Sequence, residues 1–275
     1  MLLSLFTILS LALSGQILTR LTFPINYQIV FFIGFMGAML SCLHLFLIRP
    51  HTGVQANHQK LQLEEIKVKD PSAHVRLEIH KKVHQASQPQ RPSFKALKGK
   101  YALVLLILFM FWFALYLTIP LFPVYQVNVL HLTDQTISLG SSFSSLVTLL
   151  GTTQIGALTR RFSNQKLTAI GISLATIYPV FLPLCQTPTL FILVSAVGGI
   201  GWGAINTCLV NYLLEQIPNT DLAGHLAWYN IALNAAILAG SIFGPLIAGH
   251  IGLTAAIVIF GFGRLLAGLA LLRWG

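Results

Sequence analysis

A chain of 275 residues with 55% hydrophobic and only 9% charged residues, at a mean hydropathy of +0.76, lacks the polar surface that a soluble domain of this size exposes. Its net charge of +10 is unevenly spread, with eleven of the seventeen Lys and Arg between Arg49 and Lys100. These values exclude a water-soluble globular protein and place most of the chain in lipid, around one basic segment in water.

A hydrocarbon core about 30 Å thick needs about 20 apolar residues in helix. In chain order, suitable runs extend from Leu2 to Leu18, Tyr27 to Ile48, Tyr101 to Ile119 with a continuation toward Tyr125, and Thr136 to Leu158. They continue from Leu167 to Leu184, Leu190 to Leu213, Leu226 to Ala248 and Leu253 to Leu272. None alternates in a sustained way, and open sheet edges cannot sit in hydrocarbon. The pattern predicts an all-α polytopic membrane protein with about eight transmembrane helices. The first run is short enough for a signal peptide but lacks a basic n-region.

Lys and Arg of short loops are retained on the cytoplasmic side. Residues 50–100, the Arg160–Arg161–Lys166 turn and Arg273 share one side of an eight-span arrangement, opposed by Arg20. The expected location is the inner (plasma) membrane, multi-pass, with both termini cytoplasmic. The net charge follows from this orientation, so the expected partner is the lipid bilayer and not nucleic acid.

Residues 50–100 are polar and rich in Gln, His and Lys, as in a cytoplasmic linker drawn to lipid headgroups. The chain therefore divides into 1–49 with two spans, the linker 50–100, and 101–275 with six spans. Val30-Phe31-Phe32-Ile33-Gly34-Phe35 parallels Ile257-Val258-Ile259-Phe260-Gly261-Phe262, and Arg49 closes the first pair of spans as Arg273 closes the last. If the six-span block is a repeat unit, the two leading spans are the fifth and sixth of another copy. Parallel six-helix repeats joined by a long cytoplasmic loop are a transporter architecture.

The segment Gly156-Ala157-Leu158-Thr159-Arg160-Arg161-Phe162-Ser163-Asn164-Gln165-Lys166 resembles the second copy of the Gly-x-Leu-x-Asp-Arg-x-Gly-Arg-Lys signature of the major facilitator superfamily. Gly156, Leu158, Arg161 and Lys166 match. Arg160 replaces the acid and Ser163 the second Gly. Gly240 to Gly249 resembles the family's Gly-x-x-x-Gly-Pro element, and Ile119 to Tyr125 resembles the seventh helix of bacterial drug and small-solute permeases. The resemblance runs from the family's fifth helix to its twelfth. It implies a truncated transporter, with two helices of an N-terminal half and a complete C-terminal six-helix bundle.

That resemblance implies secondary-active transport of a small molecule by alternating access, with drug or metabolite efflux as a candidate activity. The alternative is a non-transporting fragment that packs against the missing N-terminal helices or another membrane chain. The family's seventh, eighth, tenth and eleventh helices face a central cavity, whereas the ninth and twelfth lie outside. This marks Tyr116, Gln154, Trp202, Asn206, Asn230 and Asn234 as cavity candidates. Trp202 and Asn206 are four apart and share a helical face, as do Asn230 and Asn234. The same amides also suit interhelical bonding, worth about 0.6–2 kcal/mol each. Gly156, Arg160, Arg161, Lys166 and Glu215 form the expected cytoplasmic gate, with Glu215 pairing to one of the arginines. Gly240, Gly244, Pro245 and Gly249 are expected to serve close helix packing.

Gly198, Gly199, Gly201 and Gly203 lie in an apolar run with no strand before them, which points to packing and not a nucleotide loop. Ser141, Ser142, Ser144, Ser145 and Thr148 are read as a helix seam. Cys42, Cys185 and Cys208 have no metal or redox spacing. Arg264 is the one strongly charged residue well inside a span, and no Asp or Glu lies in any span. It is expected as a buried charge that snorkels or bonds to backbone carbonyls, with a substrate or gating role as the alternative. No nucleophile–base pair, metal set or carboxylate pair is spaced for catalysis, so neither an enzyme nor a cofactor nor a metal is expected. The usual intramembrane carboxylate of proton coupling is also lacking.

Overall fold

A computed structural model describes residues 2–22, 24–47, 99–159, 161–217 and 222–275. Helix is the regular structure throughout these residues, as the absence of alternating runs requires. The expected linker lies outside the described residues except for Gly99 and Lys100. By internal contacts the chain forms two compact units, Met1–Thr22 with Arg91–Gly275, and Phe23–Gln90.

The described element of the second unit is helix α2 (Ile25–Leu47). It is apolar on every face and exposed, with Phe31 at 73%. Such a helix belongs in hydrocarbon, not water.

The first unit holds α1 (Leu2–Arg20), α3 (Lys100–Thr118), α4 (Leu121–Asn128), α5 (Asp134–Leu158) and α6 (Asn164–Ala175). A short α7 (Ile177–Phe181) and a 3-10 turn (Leu182–Leu184) lead to α8 (Pro188–Glu215), α9 (Leu222–Ile251) and α10 (Leu253–Trp274). Thr133, Ser163 and Thr187 cap α5, α6 and α8, each hydroxyl accepting the backbone N–H three residues on. Each cap stabilises its helix by about 1 kcal/mol. Pro120 ends α3, because it has no N–H to give the Tyr116 carbonyl. Gly252 alone joins α9 to α10, at φ 87° and ψ 150°, a region open essentially to glycine.

Among the described residues, six stretches are long and apolar enough to cross a membrane: Ile25–His44, Lys100–Asn128, Asn164–Leu184, Pro188–Glu215, Leu222–Ile251 and Leu253–Trp274. The other two expected spans are also helical, as α1 and α5 over 19 and 25 residues. The many Ser and Thr of α5 lower its hydropathy. The protein is thus all-α and polytopic.

Within the first unit α3 packs on α9 and α10, while α8 packs on α5 and α6. Contact between α10 and α6 joins the two groups, and α1 lies on α5. There the Ser138 hydroxyl donates to the Leu11 carbonyl at 2.5 Å. Lipid is as apolar as these side chains, so the helices are held by close packing more than by transfer from water. Two large apolar cores result, beside a small cluster of Ile155, Leu167, Ala204 and Cys208. One gathers Leu108, Phe111, Ile172, Ile205, Tyr212 and Leu271; the other gathers Leu117, Leu121, Leu182, Phe191 and Ile257. On α8 and α10 the cores are separated by the stretches around Gly198–Trp202 and Arg264.

Candidate solute cavity

Between the two cores lies a cavity of about 340 Å³. Its apolar wall is Leu115 of α3, Ile119 just beyond it and Phe122 of α4, where Pro120 interrupts the helix. Ser141, Ser144 and Ser145 line it from α5, their spacing placing them on one helical face. Ser195, Gly198 and Trp202 of α8, Ala175 of α6, Tyr178 of α7 and Arg264 of α10 complete it. Gly198 lets Tyr178 come close, since a Cβ there would stand 3.2 Å from the Tyr178 Cβ.

Arg264 is 2% exposed. Its Nη2 donates to the Leu115 carbonyl at 3.2 Å, and its guanidinium carbon stands 5.8 Å from the centre of the Phe122 ring. That placement gives a cation–π attraction. Among the described residues Nε has no hydrogen-bond partner. The same Leu115 carbonyl also accepts from the Thr118 hydroxyl at 2.8 Å and the Ile119 N–H at 3.2 Å. Across the cavity wall, the Tyr178 hydroxyl accepts from the Gln126 amide at 2.7 Å, leaving the phenolic proton to be donated elsewhere. The Tyr178 ring meets Phe122 edge-on at 5.1 Å. The described acids, Asp134 and Glu215, stand at the start of α5 and the end of α8.

The family model described as Major Facilitator Superfamily matches residues 1–188 and, in a second overlapping match, residues 104–275. The chain belongs to this superfamily. No curated protein and no solved structure matches it. Membership and the six apolar helices together make it a multi-pass membrane protein and, in general terms, a major facilitator transporter.

Of the residues that the resemblance to the superfamily marked for a cavity, Trp202 lines this one. Tyr116 is half-buried beside Trp112, at 6.4 Å between ring centres, and its Cβ backs onto Gly240 of α9. Gln154, Asn206, Asn230 and Asn234 are exposed on α5, α8 and α9. Asn234 donates to the Asn230 carbonyl at 2.7 Å. The cavity is also lined by Tyr178 and Arg264, from helices expected to lie outside. The reason is local: the cavity opens between the cores, bordered by the stretches around Gly198–Trp202 and Arg264 and by the end of α3. The lone charge of Arg264 and the one-face spacing of Ser141, Ser144 and Ser145 were the available sequence signals. Arg264 reaches a backbone carbonyl and does not snorkel.

At the turn between α5 and α6, Glu215 accepts from the Asn164 amide at 2.6 Å, while Arg161 and Lys166 are exposed. Gln165 donates to the Leu271 carbonyl at 2.9 Å. The first residues of α6 thus fasten the ends of α8 and α10. Asn164 opens α6 beside α8 and so reaches Glu215, while Arg161 sits exposed in the turn; the alternative pairing with Arg160 lies outside the described residues. Arg160 and the surroundings of Gly156 lie outside the described residues. On α9, a Cβ at Gly240 or Gly244 would meet the backbone of α3, whereas one at Gly249 would meet nothing within 4 Å. Gly249 lies past Pro245, beyond the seam. Cys42 is exposed, Cys185 and Cys208 are buried, and all three are free thiols.

Proposed function

We propose that the chain carries a small amphipathic molecule across the inner (plasma) membrane by alternating access, in the direction of efflux and without enzymatic chemistry. Residues 1–49 and 101–275 act as parts of the two transporter halves. The linker 50–100 and both termini lie on the cytoplasmic side. The carrying observation is the exposure of Asn206, Asn230 and Asn234 on the apolar helices α8 and α9, and of Gln154 on the Ser- and Thr-rich α5. Unsatisfied amide groups facing hydrocarbon cost several kcal/mol, and the Asn234 bond to the Asn230 carbonyl uses one of its two N–H groups, so these faces suit a water-lined path. The Glu215–Asn164 bond serves as a weak latch at one end of that path, and a small bias suffices where two states differ by a few kcal/mol.

Uptake into proteoliposomes of labelled benzoate, benzamide and benzylamine tests the reading with an anion, a neutral molecule and a cation of similar shape. Saturable uptake of at least one, above that of protein-free liposomes, is expected. Equal uptake by both preparations for all three would overturn transport. Orientation is tested separately: an external thiol reagent should modify a cysteine placed at Thr187 and spare one placed at Gln88. The opposite labelling would reverse the topology.

A further inference from the structure

We propose that the cavity around Arg264 is a binding site for a small organic monoanion, a carboxylate with an apolar body. This deepens the transport reading by naming the solute's class, and rests on it only for the claim that the bound anion is carried.

The charge balance comes first. Arg264 is a buried cation at the middle of α10, and the described acids lie at helix ends outside the cavity lining, Asp134 about two turns before Ser141 and Glu215 beyond Trp202 at the end of α8. A charge at membrane mid-depth is costly and is found with a partner or a water path. The Leu115 carbonyl accepts from Nη2, but a neutral carbonyl does not balance the charge. It is shared with the Thr118 hydroxyl and the Ile119 N–H, so it gives the guanidinium one weak, divided bond.

The donor inventory points the same way. Arg264 Nε is unused, and Tyr178 has a phenolic proton to give because its oxygen already accepts from Gln126. Ser141, Ser144 and Ser145 add hydroxyls on the same lining. Guanidinium and hydroxyl donors together complement a carboxylate, and hydrogen bonds to ionised groups are about twice as strong as neutral ones. One cation balances one negative charge, which favours a monoanion over a phosphate dianion. Trp202, Phe122 and Ile119 supply the wall for an apolar body. A volume of about 340 Å³ lies at the lower end of ligand pockets, which limits the solute to a small one.

The test is fluorescence titration of the purified full chain in nanodiscs with 4-bromobenzoate and, separately, its neutral isostere 4-bromobenzamide. Bromine quenches nearby tryptophan, and Trp202 lines the cavity. Saturable quenching by the benzoate is expected, at least tenfold tighter than by the amide, and Trp202→Phe should remove it. Arg264→Gln should abolish the preference for the anion, and Arg264→Lys should keep part of it. Equal affinity for the two isosteres, or quenching that survives Trp202→Phe, would overturn the site. The isostere comparison uses the unaltered protein, so it decides even if Arg264→Gln fails to fold. Anion-selective binding without benzoate uptake by proteoliposomes would sink transport and leave the site standing. Uptake without anion-selective binding would do the reverse.

Discussion

On α9, Gly240 and Gly244 let α3 approach until a Cβ at either position would strike the Phe113 or Leu117 carbonyl. On α8, Gly199 and Gly203 do the same for α5, facing the Ser144 and Thr148 carbonyls. Both seams use small residues four apart, but their surroundings differ. The α3–α9 seam is flanked by Leu117 and Tyr116, whereas across the α5–α8 seam Thr148 donates its hydroxyl to the Gly199 carbonyl at 2.9 Å. The second seam also borders the serine-lined cavity wall. One backbone device thus serves as an apolar clamp in one place and as the edge of a polar site in the other.

The comparison is broken most severely at the glycines. Gly199→Ala and Gly244→Ala should each destabilise the protein by about 1–3 kcal/mol, the usual range for overpacking, read as a lower unfolding midpoint in detergent. Gly252→Ala should cost a similar amount, about 1–3 kcal/mol, through backbone strain and not crowding. A smaller effect is expected from Thr148→Val, about 0.6–2 kcal/mol, through the loss of one interhelical hydrogen bond. That effect should shrink when combined with Gly199→Ala, since the same displacement already lengthens the bond. Additive losses would show the hydroxyl and the glycine to be independent. Smallest of all, Gly249→Ala should leave stability unchanged or raise it by up to about 1 kcal/mol, because alanine is the better helix former and the site is open.

The seams were readable in the sequence because glycine at four-residue spacing in an apolar run has few uses other than close approach. Arg264 was readable as an exception, but not its direction. That depends on how α10 is rotated by its packing on α3 and α6, which no local pattern encodes. The serines show why part of the site was missed. Ser144 offers its backbone to the seam and its side chain to the cavity lining, so a seam assignment and a cavity assignment coexist on one helix. Tyr178 carried no signal, since a tyrosine in an apolar run is common, and its pairing with Gln126 joins residues 52 apart. The exposed amides were visible as polar residues in apolar helices. Their faces became clear only once the cores had claimed the opposite sides of α5, α8 and α9.

Gly252 also constrains how the bundle can rearrange. A single residue spans at most about 3.6 Å, so the link between α9 and α10 has no slack. The pair can tilt about that joint, but neither helix can slide along the other. Gly240 and Gly244 ride on one arm and Arg264 on the other. Any rocking of the α3–α9 seam is therefore geared to the position of the guanidinium, with the hairpin working as a pivoted lever and not a piston.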